Sequence, residues 1–164
     1  MACALWYGLR VKSRHEKSAS TILREKGFDE FAALYRSKRK WSDRIATVEL
    51  PLFPGYIFCR FALPQRISVR RIPGIVAIVS LAGEPVPIPE EQIDAVRRVA
   101  YSGLDTELSP YLYTGQSVYV IGGPLEGTRG IYIRSKKDGC LVINVDLLQR
   151  SVSVSLHPSL VKPS

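Results

Sequence analysis

The chain changes its hydrophobic rhythm once. Up to about residue 103, short β-branched and aromatic runs alternate with two stretches of helical periodicity; from Gly115 onward only strand-length runs remain, punctuated by glycine and proline. One regular layer cannot satisfy both patterns, so the sequence predicts an α+β unit followed by a small all-β unit. Between them, Ser-Gly-Leu-Asp-Thr-Glu-Leu-Ser-Pro after Tyr101 is polar and without periodicity, and reads as a linker. The expected division is residues 1–103, a linker at 104–112, and residues 113–164. A second unit of about fifty residues is marginal by surface-to-volume scaling and therefore needs a closed sheet, a barrel.

In the first unit, Ser13 with Glu16 three residues on has the form of a capping box, and Gly27 is placed to stop the helix that follows. Ala19, Ile22 and Leu23 share one face of that helix. A second helix is expected over 89–101, with Pro89, Glu90 and Glu91 at its start and Arg97 and Arg98 near its end. Residues 65–71 add a helical turn closed by Pro73-Gly74. Strands are expected at 5–11, 29–35, 45–50, 56–61 and 75–80, then at 117–121, 130–134, 140–145 and 151–156. The order implies an antiparallel sheet covered by helices on one face, with the other face free for a partner.

The 23 Lys+Arg against 15 Asp+Glu give a formal charge of +8, which favours an anionic macromolecular partner. Residues 1–103 hold 17 basic and 10 acidic residues, residues 104–164 only 6 and 5. Three scattered cysteines, Cys3, Cys59 and Cys140, suit neither a disulfide framework nor a metal knuckle, and point to a reducing cytoplasm. No apolar run reaches the roughly 18 residues of a membrane span, and Ala2 to Val11 lacks the features of a signal peptide, so no membrane association is expected and the whole chain is expected to be the mature one. No nucleophile–base pair, carboxylate pair, phosphate loop or metal set can be drawn from the sequence, so it predicts no enzyme, no cofactor and no metal. Gly122 to Gly127 has no Lys-Ser/Thr ending and reads as a tight turn between strands.

Two stretches suggest binding. Arg36 to Arg44 carries five positive side chains and Trp41 and is expected as a hairpin loop; Lys38, Arg39, Lys40, Trp41 and Arg44 suit phosphate contact and base stacking, with Arg10, Lys12 and Arg14 extending the surface. A solvated loop accounts for the charges equally well. In the second stretch, Leu50 to Phe61, alternation puts Tyr56, Phe58 and Arg60 on one side and Ile57, Cys59 and Phe61 on the other. Joined by Trp6 or Tyr7, the outer side makes an aromatic patch that either meets a protein partner or is covered by other parts of the chain.

Trp6-Tyr7, Leu-Phe-Pro-Gly-Tyr-Ile-Phe, and Ile72-Pro73-Gly74-Ile75-Val76 followed by Pro-Ile-Pro-Glu-Glu resemble the N-terminal domain of the NusG-type transcription elongation factors. Gly115 to Gly130 resembles the KOW motif of the same family, an SH3-like barrel. The resemblance implies an elongation and antitermination factor that acts without chemistry. Trp6, Tyr7, Phe53, Pro54 and Tyr56 match the positions that hold the clamp helices of RNA polymerase. The basic face would then lie near upstream or non-template DNA. Leu147, Leu148, Gln149 and Arg150 match the loop through which the KOW domain recruits Rho or a ribosomal protein. Several stretches look more like the family's operon-specific paralogues, and a cytoplasmic monomer is expected. An RNA-binding or ribosome-associated KOW protein is the alternative reading.

Overall fold

The computed structural model describes residues 3–41, 44–104, 106–111, 115–134 and 139–164, the side chains at 37–41, 46, 110 and 134 excepted. The chain forms two compact units, one of residues 1–33 with Phe53–Ile93, the other of Leu34–Leu52 with Asp94–Ser164.

The first unit begins with β1 (Leu5–Val11) and α1 (Glu16–Glu25). The capping box does not form: His15 is the N-cap residue, and no side chain caps the helix. Glu16 is instead 7% exposed and engaged elsewhere. Gly27 ends the helix as expected, at φ 88°, a conformation open to glycine at little cost. The strand expected over 29–35 divides, because Ala33 takes a left-handed φ of 49°; β2 (Asp29–Phe31) stays in the first unit, while β3 (Leu34–Trp41) pairs with β4 (Arg44–Pro51) in the second.

β5 (Tyr56–Phe61) follows, then a 3-10 turn at Leu63–Gln65 and the short α2 (Arg66–Arg70). The last expected strand of this unit is broken into β6 (Ile75–Ile78) and β7 (Ser80–Leu81), the latter pairing with β8 (Glu84–Pro85). A fully antiparallel sheet, ordered β2-β5-β1-β6, results. Tyr7, Leu9 and Val11 of β1 and Ile57, Cys59 and Phe61 of β5 form one face of it. They pack with Ala19 and Leu23 of α1, Val69 of α2 and Ile72 into one hydrophobic core. Each such side chain removed from water contributes about 1.5–3 kcal/mol, which fixes the register of the strands, since a one-residue slip would expose the whole set. Glu30 of β2 ties the sheet to α1: Ser20 Oγ donates to it, and Arg24 Nη2 lies 2.7 Å from its Oε1.

α3 (Glu90–Tyr101) follows, with Ile93, Ala95, Val96 and Val99 buried. Residues 104–112, expected as a linker, carry a strand, β9 (Thr106–Pro110), which pairs with β13. Its absence of apolar alternation concealed it: the backbone pairing, with Leu108 opposite Val152, does not require a buried face on an edge strand. β10 (Gln116–Val120), β11 (Arg129–Arg134), β12 (Gly139–Val145), β13 (Arg150–Leu156) and β14 (Val161–Pro163) complete a six-stranded antiparallel sheet ordered β14-β10-β11-β12-β13-β9. Val118, Val120, Leu141, Ile143, Val152 and Val154 supply its core. Gly122 to Gly127 is a turn between β10 and β11, closed by Gly127 N–H donating to Val120 O at 2.8 Å, and a strand rather than a helix follows it.

Candidate functional site

The connection between β4 and β5 is built from Leu52-Phe53-Pro54-Gly55. Gly55 sits at φ 85°, and Tyr56 N–H donates to Phe53 O at 2.9 Å, so the chain reverses within four residues. Phe53 is 1% exposed and meets Phe58 edge-on, ring centroids 5.7 Å apart; Phe31 stacks on Phe58 at 6.1 Å. The turn is therefore pinned from below by aromatic packing. Pro54 at its tip is exposed and Tyr56 half-buried.

Of the two readings alternation left for the aromatic side, an open patch or a covered one, the structure shows the covered one. Trp6, Phe31, Phe53 and Phe58 do share a side of the chain away from the main core cluster, yet all four are buried. Trp6 and Tyr7 also part company, because successive strand residues point to opposite faces. Tyr7 belongs to the helix-covered core, its ring 4.6 Å from that of Phe61, and burial raises its phenol pKa. Of the five residues expected at a protein contact, only Pro54 and Tyr56 offer surface; Trp6, Tyr7 and Phe53 are buried.

Among the basic residues, Arg10, Lys12 and Arg14 are exposed in the first unit. Lys12 N–H donates to Gly74 O, and Arg14 adopts φ 65°, which turns the chain into α1. Arg10 stands directly across from Tyr56 in the β1–β5 register, so the expected protein-contact and nucleic-acid sets, read from sequence as separate, meet at this pair. The described residues between Arg36 and Arg44, expected as a loop, are in strands. They belong to β3 and β4, whose pairing runs through Lys38↔Thr47, Arg39↔Ala46 and Lys40↔Ile45 to Trp41↔Arg44. A partner strand carrying Ile45, Thr47 and Val48 was enough to extend the ladder through the charged residues. Arg44 is exposed; the side chains of Lys38, Arg39, Lys40 and Trp41 lie outside those described, as do residues 42 and 43.

In the second unit, Leu147 and Leu148 end a 3-10 turn, Gln149 follows at φ 51°, and Arg150 opens β13. Leu148 is 9% exposed and serves the core, Leu147 is half-buried, and Gln149 and Arg150 are exposed. Asp146 braces the turn: Tyr111 Oη donates to its carboxylate at 2.7 Å, and Gln149 Nε2 to its carbonyl at 2.8 Å.

Sequence reasoning missed one contact at the first of these sites. Gly55 N–H donates to Glu16 Oε1 at 2.9 Å, across 39 residues. The Ser13-x-x-Glu16 pattern concealed it, since the same spacing satisfies a capping box. Cys59, behind the turn, has its thiol pushed up to about 12 by burial, then by Glu30 and Asp29, and is inert at neutral pH. Among the described residues there is no group of His, Cys, Asp and Glu able to hold a metal ion, and no helix long and apolar enough to cross a membrane.

The turn thus presents Pro54 and Tyr56 in the same unit as the exposed Arg10, Lys12 and Arg14. Residues 4–97, more than half of the chain, match the family model described as transcription termination factor NusG. The chain belongs to the NusG family, whose members are non-enzymatic transcription factors that bind RNA polymerase. Its fold is similar to that in "Domain interaction in Thermotoga maritima NusG", with a TM-score of 0.54, 24% identity, and coverage of 98% of this chain and 97% of that one. A looser likeness, TM-score 0.33 at 17% identity over 96% and 95%, is to the MjSpt4:Spt5 complex in its conformation B.

Proposed function

We propose that this chain is a transcription elongation and antitermination factor that docks on the clamp helices of RNA polymerase and suppresses pausing or termination. The family match over residues 4–97 carries the reading. In it, Pro54 and Tyr56 touch the polymerase, Phe53 pins their turn by packing on Phe58, and Trp6 and Tyr7 support the sheet that carries it from its two faces. Antipausing needs no chemistry: binding energy that favours the closed clamp shifts the population away from the paused state. Arg10, Lys12, Arg14 and the β3–β4 ribbon with Lys38, Arg39, Lys40, Trp41 and Arg44 serve the upstream or non-template DNA.

Residues 1–103 are the polymerase-binding domain in this reading, and residues 113–164 a KOW barrel that recruits Rho or a ribosomal protein through Leu147, Leu148, Gln149 and Arg150. The six-stranded antiparallel sheet and the exposed Gln149 and Arg150 support that assignment. The protein acts in the cytoplasm as a monomer, in the manner of the operon-specific members of its family.

The test is binding of the full chain to bacterial RNA polymerase with and without the clamp helices. Clamp-dependent binding that weakens about 30-fold in Tyr56→Ala, the size of an interface hot spot, is the expected result. Binding that ignores both the clamp and the substitution would sink the proposal, and retention on ribosomal RNA instead would favour the RNA-binding alternative.

A further inference from the structure

Glu16 is a carboxylate buried to 7% exposure in the first turn of α1, and nothing in that helix uses its side chain as a cap. Its Oε1 accepts the Gly55 N–H. The carbonyl of the same glycine accepts Val11 N–H at 2.8 Å, from the end of β1. The Gly55 residue is thus held at both polar groups, by α1 on one side and β1 on the other, in a left-handed conformation that few alternatives could replace. On either side of it in sequence stand Pro54 and Tyr56, the two exposed or half-exposed residues of the turn.

We propose that Glu16 is a positioning residue for the polymerase contact, fixing the Pro54–Tyr56 turn in its docking conformation before the partner arrives. This rests on reading that turn as the contact. The half-buried Gly55 amide gains from an acceptor fixed within the protein, and a carboxylate acceptor makes a bond roughly twice as strong as a neutral one. Without Glu16 the Gly55 N–H loses its acceptor within the protein and the turn is held less firmly, so part of its ordering must be achieved on binding. Affinity falls although no atom of the interface has been removed.

The experiment compares full-length wild type with Glu16→Gln, Glu16→Asp, Glu16→Ala and Tyr56→Ala in two readouts: the Gly55 amide signal in 15N–1H spectra, and affinity for RNA polymerase. Glu16→Gln keeps an oxygen acceptor at the same reach but loses the charge, so both readouts fall between wild type and Glu16→Ala. Glu16→Ala and Glu16→Asp, the latter too short by one methylene, shift the Gly55 amide, speed its exchange, and weaken binding about five- to tenfold, the loss expected of one hydrogen bond. Should Glu16→Ala fail to fold, Glu16→Asp carries the comparison. Unchanged affinity in the Glu16 variants beside weakened binding in Tyr56→Ala overturns the positioning role and leaves the contact standing. Unchanged affinity in Tyr56→Ala overturns both.

Discussion

Trp6 and Tyr7 are neighbours in β1 and lie on opposite sides of the sheet: Tyr7 packs its ring 4.6 Å from Phe61 in the helix-covered core, whereas Trp6, across from Arg60, faces the other way. They therefore cannot act as one aromatic platform, and substitutions should separate them. Tyr7→Ala leaves a cavity at a site 2% exposed and is expected to cost about 3–5 kcal/mol of stability. Urea denaturation measures this directly. A loss below about 1 kcal/mol would mean that the core closes around the gap.

Two glycines with nearly the same backbone should respond differently. Gly27 at φ 88° and Gly74 at φ 92° both resist a side chain, but a Cβ at Gly27 meets nothing within 4 Å, while one at Gly74 would lie 3.1 Å from His15 Cβ. Gly27→Ala is expected to lose about 1 kcal/mol, the left-handed cost alone. Gly74→Ala adds displacement of the His15 side chain and of the loop that Lys12 anchors on Gly74 O. Thermal melts should rank Gly74→Ala below Gly27→Ala; the reverse order would show that His15 yields without cost.

What could be read in the sequence depended on whether burial left a periodic trace. β1 and β5 were legible to the residue because each presents apolar side chains to a core. β9 was not, since an edge strand can be held by backbone pairing with polar side chains. The β3–β4 ribbon was shortened for a similar reason, its charged residues reading as loop when only their cross-strand partners carried the β signal. Ala33 broke a strand through a backbone angle that no alanine announces. At the candidate site, Leu-Phe-Pro-Gly-Tyr was conspicuous, but its burial was not, because alternation tells which residues share a face and not what covers that face. The Glu16–Gly55 bond spans 39 residues and has no local signature at all.

The expected recruiter loop separates into a structural and an exposed half. Leu148 is 9% exposed, and Leu148→Ala should cost about 2–4 kcal/mol. Arg150 is exposed at the start of β13, and Arg150→Ala should cost less stability than Leu148→Ala. If the loop recruits a partner, Arg150→Ala weakens that complex by more than its smaller effect on the melting temperature accounts for. An Arg150→Ala variant that melted as early as Leu148→Ala would show the loop to be part of the fold rather than a contact.

Cys59 should make the protein sensitive to alkali. Its thiol, ordinarily ionising near 9, is pushed up to about 12 in the folded chain, first by burial and then by Glu30 and Asp29. A group whose folded pKa is raised stabilises fully below its unfolded value and loses that contribution as pH rises toward the folded one. Between about pH 9 and 12 the unfolded chain releases a proton that the native chain keeps, so stability falls with a limiting slope of about 1.4 kcal/mol per pH unit from this group. Urea titrations at pH 8, 9.5 and 10.5 should show the decline, and Cys59→Ala should flatten it. Thiol reagents give an independent check, since Cys3 is exposed and Cys59 buried: Cys3 should label first at pH 8 and Cys59 only at the rate of unfolding. Labelling of both at one rate would mean that the sheet behind the turn opens far more readily than its packing implies.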